Sequence, residues 1–260
     1  MKSYRIAAIP GDGIGKEVIA AGVEVLNFLS EREAFRIEFE SFDWNSERYL
    51  ETGEYIPDGG LEKLKSFDAI FFGAVGSPRV PDHVSLWGLR LPICQGFDQY
   101  ANVRPSRVLP GISSKLKNAE EIDWVIIREN TEGEYSGAGG RVHRGLPQEI
   151  ATEISVFTRV GVERIHRFAF EVARKRTKKH LTLVTKSNAQ RHGMVLWDEI
   201  FHEVAKQYPD VQTDRVLVDA VTTRMVLKPA SLDTIVATNL HADILSDLAG
   251  ALAGSLGVAP

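Results

Sequence analysis

The chain has 260 residues, 43% hydrophobic and 25% charged, enough apolar material for one large domain or two modest ones, and this excludes a disordered chain. Lys and Arg number 31 against 35 Asp and Glu, a net charge of −4, which gives no general pull toward nucleic acid or an anionic membrane. Cys94 is the only cysteine, so an intrachain disulfide and a cysteine-based zinc site are excluded, and a reducing, cytoplasmic setting is expected. The apolar run before Pro10 is too short for a secretory signal, and no stretch approaches the ~20 apolar residues of a membrane span.

The first predicted element is a strand at Arg5–Ile9, stopped by Pro10-Gly11-Asp12-Gly13. A helix pattern runs from Gly15 to Leu29 with Val18, Ile19, Val23 and Leu26 on one face. An alternating strand at Phe35–Phe42 follows, then a continuously apolar one at Asp68–Phe72. Uninterrupted apolar runs suit strands buried on both faces of a parallel sheet, and the alternation of strand and helix marks an α/β protein. Tyr100–Val108, Trp124–Ile127 and Ile154–Val160 read as further strands. Gly133 to Gly145 is too glycine-rich for a core element, and Gln148–Phe157 suits an exposed arm or hairpin. Beyond it come helices at Val162–Arg176 and Gly193–Gln207 and strands at Leu181–Thr185, Val216–Val218 and Thr234–Ala237. A last helix is expected from Leu240 to Leu256. Pro105, Pro110 and Gly111 mark a crossing between domains, with a boundary near residue 99. Gly254–Pro260 reads as a capped helix end and the opening of another element, so a fragment of a longer fold is expected.

Chemistry-bearing residues gather at predicted strand ends. Asp243 and Asp247 are four apart and share one helix face, where two carboxylates repel unless a cation sits between them. Carboxylate oxygens suit Mg²⁺ or Mn²⁺. Taken alone, the pair favours a solvated face of two independent aspartates. Asp219 directly follows an apolar strand and is equally open to being a ligand-site acid or a helix N-cap. Arg104 and Arg128 stand where a bidentate carboxylate grip is useful, though a surface salt bridge is the commoner fate of arginine. Lys186 ends a strand and is open to acting as a base or to being a solvated lysine. Gly11-Asp12-Gly13-Ile14-Gly15 departs from G-x-G-x-x-G, so its glycines need only permit a tight turn. His241 reads as a polar loop histidine rather than a ligand.

Six motifs in order carry a resemblance: Ile9–Gly15, Asn102–Pro105, Arg128–Tyr135, Thr185–Asn188, Val218–Ala220 and Asp243–Asp247. The chain resembles the β-decarboxylating hydroxyacid dehydrogenases, which include isocitrate and isopropylmalate dehydrogenases. Pro81–Gly88 and Phe97–Tyr100 are similar to the tartrate/D-malate dehydrogenase branch. The resemblance implies a two-domain, non-Rossmann α/β fold with its large domain incomplete at the C-terminus. Residues 1–98 would form the N-terminal part of a large cofactor domain. Residues 99–254 would form a small domain with the dimer arm and the substrate and metal site, and 255–260 the start of the return to the large domain.

The implied reaction is oxidation, with possible decarboxylation, of a 2-hydroxy dicarboxylic acid such as tartrate or D-malate, with NAD and Mn²⁺ or Mg²⁺. Arg104 and Arg128 would hold carboxylates. Asp243 and Asp247, joined by Asp219 of the other subunit, would bind the metal. Lys186, also from the partner, would take the hydroxyl proton, Tyr135 would protonate the enol, and Ile14 and Asn188 would lie at the nicotinamide. The partners implied are a second copy in a homodimer with shared active sites and a small dicarboxylate, with no nucleic acid and no membrane. One departure from the family pattern is Cys94, ten residues before Arg104, where a further arginine is usual; Arg90 stands four residues earlier, so either a local shift brings Arg90 in or the grip uses two arginines. Another is that the family's adenosine-binding loop has no counterpart within these 260 residues. The alternatives are a 3-isopropylmalate dehydrogenase and a truncated, non-catalytic dimeric protein that binds metal and dicarboxylates.

Overall fold

Backbone geometry at the first turn explains the earliest motif. In the computed structural model, which describes residues 2–254 apart from 115 and 118, strand β1 (Lys2–Gly11) turns into helix α1 (Gly15–Arg32) against the end of strand β3 (Ala69–Ala74). A Cβ on Gly11 would stand 2.0 Å from the Ala74 carbonyl oxygen, and one on Gly15 2.1 Å from that of Pro10. Gly11 also has φ +69°, a conformation that costs glycine little. These glycines serve close backbone packing. β1 is flanked in parallel by β2 (Phe35–Ser41) and β3. α1 meets the sheet through Gly15, Ile19 and Gly22, one stripe at i, i+4 and i+7, with Gly22 against the Phe71 ring. Val18, expected on that face, is exposed, because the contact line is built from glycine rather than from large apolar residues.

Short helices missed by periodicity complete this first unit, Met1–Asp98: α2 (Ser46–Thr52), α3 (Gly60–Leu64), α4 (Asp82–Ser85) and α5 (Leu91–Gly96), with a π-helical turn at Leu86–Arg90 before α5. Each is too short to display a hydrophobic period. They surround a cluster of Phe42, Trp44, Tyr55, Leu64, Leu89 and Ile93, in which Phe42 and Trp44 meet edge to face at 5.0 Å.

The second unit, from Gln99 onward, holds a five-stranded sheet. Its strands are β4 (Ala101–Arg107), β5 (Asp123–Glu129), β8 (His180–Thr185), β9 (Gln212–Leu217) and β10 (Thr234–Ala237), in the order β4-β5-β10-β8-β9. Only β4 is antiparallel to its neighbour. Successive residues of the inner strands face opposite cores. Ile127, Leu181, Leu183 and Val236 pack with helices α6 (Arg159–Lys175) and α7 (Gly193–Ala205). Ile126, Val184 and Ile235 pack with α8 (Val218–Leu227) and α9 (Asn239–Ala253). Coverage on both faces is why these strands read as unbroken apolar runs.

The remaining pair, β6 (Gly133–Val142) and β7 (Ile150–Val156), forms a separate antiparallel hairpin, and every residue of β7 is exposed. The strand expected at Ile154–Val160 therefore ends at Val156. Thr158 caps α6 by accepting from the Gly161 N–H at 3.0 Å, which places Val160 in that helix. Gly133–Gly145, expected to be outside the core, supplies strand β6 there. The short strand expected at Val216–Val218 is β9, and Val218 already belongs to α8, a helix the periodicity did not reveal. The last helix ends at Ala253 with a left-handed Gly254. The segment expected to begin a return at 255–260 lies outside the described residues. Among the described residues no helix is long and apolar enough to cross a membrane.

Candidate active site

β5 and β10 are parallel neighbours, and Arg128 pairs in register with Ala237, just before the chain enters α9. That register brings the arginine to the first turn of the helix. Its side chain is 1% exposed, which excludes the surface salt bridge left open by the sequence. Nε and one terminal nitrogen donate to Asn239 Oδ1 at 2.9 and 2.6 Å, and the other terminal nitrogen donates to Asp243. Arg104, on the adjacent β4, donates to Asn102 Oδ1 at 2.9 Å, to Asp243 Oδ1 at 3.3 Å and to Ser246. Tyr135 donates to Asp243 Oδ2 at 3.4 Å, and its ring lies 5.3 Å from the Arg128 guanidinium carbon. Two arginines, a tyrosine and an aspartate thus form one buried-to-half-buried cluster.

The turn between β5 and β6 is fixed by carboxylates. Glu129 accepts from Thr131 N and Oγ1 and from Glu132 N at 2.9–3.0 Å, and burial pushes its carboxyl up. Glu134 accepts from Leu240 N at 3.3 Å, and so places a negative group at the N-terminus of α9. His241, read as a loop residue, is 8% exposed within that helix. Burial lowers its pKa; Glu134 opposes that shift and Lys186 adds to it. The sequence assigned no role to Asn239, Glu134, Glu129 or Ser246. A polar residue at the junction of strand β10 and α9 was the available signal for Asn239.

Lys186 and Asp219 form a second group. Lys186 leaves the end of β8 and pairs with Asp219, which sits in the first turn of α8 rather than before it. The side chains are 29% and 65% exposed, and the lysine holds the Asp219 carboxyl below its usual range. Among the described residues no hydrogen bond or ion pair joins this pair to Asp243 or Asp247. Asn188 is exposed in the turn after β8. In the first unit, Ile14 is the residue before α1, and Arg90 closes the π-helical turn.

Asp243 and Asp247 lie one turn apart on α9, Asp247 exposed. Two such carboxylates fit a hard divalent cation in donor chemistry. Among the described residues no three His, Cys, Asp or Glu gather into a metal-binding group, so a further donor has to come from elsewhere.

A parallel α/β sheet with arginines, acids and a lysine at its strand ends defines a ligand-binding α/β enzyme. The family profile described as isocitrate/isopropylmalate dehydrogenase matches residues 5–260, and the chain belongs to that family and is a dehydrogenase. A probable tartrate dehydrogenase/decarboxylase of Agrobacterium vitis is 68% identical over 263 residues, covering 100% of this chain and 74% of that protein. The D-malate dehydrogenase (decarboxylating) of Escherichia coli is 50% identical, covering 100% of this chain and 73% of its own length. The crystal structure of isocitrate dehydrogenase from Methylococcus capsulatus superposes with a TM-score of 0.85 at 35% identity, covering 98% of this chain and 73% of that one. The chain thus spans about three quarters of the length of these relatives.

Proposed function

We propose that the protein catalyses oxidative decarboxylation of a 2-hydroxy dicarboxylic acid, tartrate or D-malate, with NAD and Mn²⁺ or Mg²⁺, as a homodimer whose active sites are shared between subunits. One observation carries this reading: Arg104, Arg128 and Tyr135 converge on Asp243, while Lys186 pairs separately with the exposed Asp219. The names of the 68% and 50% identical relatives support the substrate class.

Arg104 and Arg128 now hold the Asp243 carboxylate, an internal stand-in for a substrate carboxylate. On binding, the substrate takes over these donors and frees Asp243 to face a cation with Asp247 and the partner's Asp219. The resemblance makes Arg90 a candidate carboxylate contact and Ile14 and Asn188 candidate contacts of the nicotinamide. A bound NAD would supply the hydride acceptor, and a divalent cation held by Asp243 and Asp247 would supply Lewis-acid polarisation of the hydroxyl oxygen. The partner's Lys186 accepts the hydroxyl proton as the carbon–hydrogen bond breaks. After CO₂ leaves, Tyr135 returns a proton to the enol carbon.

The hairpin supports the dimer. Ala138, Val142, Ile150 and Ile154 lie opposite one another in register, so they share one apolar face. Val142, Ile150 and Ile154 are all exposed. A two-stranded sheet is marginal alone, and a second copy supplies what this face lacks. The test is NADH formation with tartrate, D-malate and 3-isopropylmalate, before and after chelation. The proposal predicts turnover of tartrate or D-malate, loss on chelation and recovery with Mn²⁺. Turnover of isopropylmalate alone, or indifference to chelation, contradicts it.

A further inference from the structure

We propose that Asp12 is a positioning residue for the cofactor: its buried carboxylate clamps the Ile14 turn to the end of β3 and the start of α2. The inference rests on the reading that Ile14 faces the nicotinamide. Asp12 is 4% exposed. Its Oδ1 accepts from Ser46 N at 2.7 Å, and its Oδ2 accepts from Ser46 Oγ at 2.7 Å and Gly76 N at 2.8 Å. Its own N–H donates to the Ala74 carbonyl at 2.7 Å. One side chain therefore joins three segments that are 34 and 64 residues apart in sequence.

Among the described residues no cation pairs with Asp12. Burying a carboxylate costs desolvation, and here three N–H and O–H donors, held in fixed positions, offset it. Gly11 and Gly15 let the backbone pack closely at the turn, and the carboxylate adds bonds to Ser46 and Gly76 beyond that packing. What it adds is direction. It fixes Ile14, 60% exposed two residues later, and Gly76, at the start of an open groove along Gly76–Asp82. Both features lie at the carboxyl ends of parallel strands β1 and β3, where ligands bind in such sheets. The clamp extends inward. Ser46 gives its proton to Asp12, so its oxygen accepts from the Tyr55 hydroxyl at 2.9 Å.

Asparagine cannot reproduce this clamp. The Ser46 and Gly76 backbone N–H groups approach different carboxylate oxygens, and an amide has one oxygen to offer. Wild type, Asp12→Asn, Ser46→Ala and Tyr55→Phe are to be compared by NAD titration, by KM for NAD and for hydroxy acid, by kcat, and by thermal unfolding. We expect Asp12→Asn to raise KM for NAD roughly tenfold and lower kcat while KM for hydroxy acid stays within about twofold. Ser46→Ala should move the same parameters less, and Tyr55→Phe, which keeps all three bonds to Asp12, should leave KM for NAD unchanged. If Asp12→Asn fails to fold, Ser46→Ala carries the comparison. Lowered melting temperature with unchanged KM for NAD and kcat would reduce Asp12 to a structural role and overturn the proposal. Wild-type protein that does not bind NAD would overturn the cofactor reading itself, and the proposal with it.

Discussion

The Arg128 cluster and the Lys186–Asp219 pair sit in the same unit and contain similar charges, yet they are built differently. Arg128 is sealed under α9, with its donors engaged on Asn239 and Asp243. Lys186, partly buried, and the exposed Asp219 pair with each other, and among the described residues neither has a second ion-pair partner. A buried guanidinium requires its neighbours, whereas an exposed pair can exchange partners at little cost. Under the proposed function, the difference separates a part of the site assembled within the chain from a Lys186–Asp219 pair offered to a second copy.

The largest effect expected is from Arg128→Met. It removes the carboxylate grip and leaves Asp243 without its buried partner, so kcat/KM should fall roughly a thousandfold. Denaturant unfolding should also show a loss of about 2 kcal/mol or more. Lys186→Ala should slow the hydride step by at least about a hundredfold while stability changes by less than about 0.5 kcal/mol. Stopped-flow NADH formation and urea melts on both variants separate the two halves. If Lys186→Ala costs as much stability as Arg128→Met, the comparison breaks. Tyr135→Phe should spare NADH formation and slow proton incorporation into the product, a difference read by deuterium exchange.

Smaller effects sharpen the contrast elsewhere. Ile150→Ser with Ile154→Ser removes the apolar face of the hairpin, and light scattering should show a shift toward monomer with unit stability retained. The core of the second unit carries a charge-free example of burial. His166 is fully buried between Trp197 at 4.3 Å and Phe201 at 5.3 Å, and burial, with His202 adding, lowers its pKa to about 3. Below its ordinary pKa of 6.5 the unfolded chain binds a proton that the native state refuses. Stability should therefore fall as pH drops from 6.5 toward 3, by at most about 1.4 kcal/mol per pH unit from this group. His166→Leu should flatten that slope in pH-dependent unfolding.

Legibility followed physics. Strands such as Trp124–Ile127 and Thr234–Ala237 were visible because burial on both faces leaves a continuous apolar run. α8 was not, because Val218–Leu227 mixes Thr, Asp and Arg with its apolar residues and buries only Val221 and Met225. The contact face of α1 was misread because glycines make it. At the site, the placement of Arg128 and Lys186 at the ends of β5 and β8 was legible, since it follows from the apolar runs before them. Asn239 and Glu134 were not, because their roles arise from β10 lying beside β5 and from the hairpin returning to α9.

The central claim, a site divided between two subunits, is tested most directly by complementation. Arg128→Met and Lys186→Ala are each expected to abolish turnover as homodimers. Co-expressed, half the dimers are mixed, and each mixed dimer holds one site with an intact Arg128 from one chain and an intact Lys186 from the other. The account predicts recovery to about one quarter of wild-type activity. If both residues act within one chain, every mixed site carries a lesion, and no recovery above the two homodimers would contradict the account.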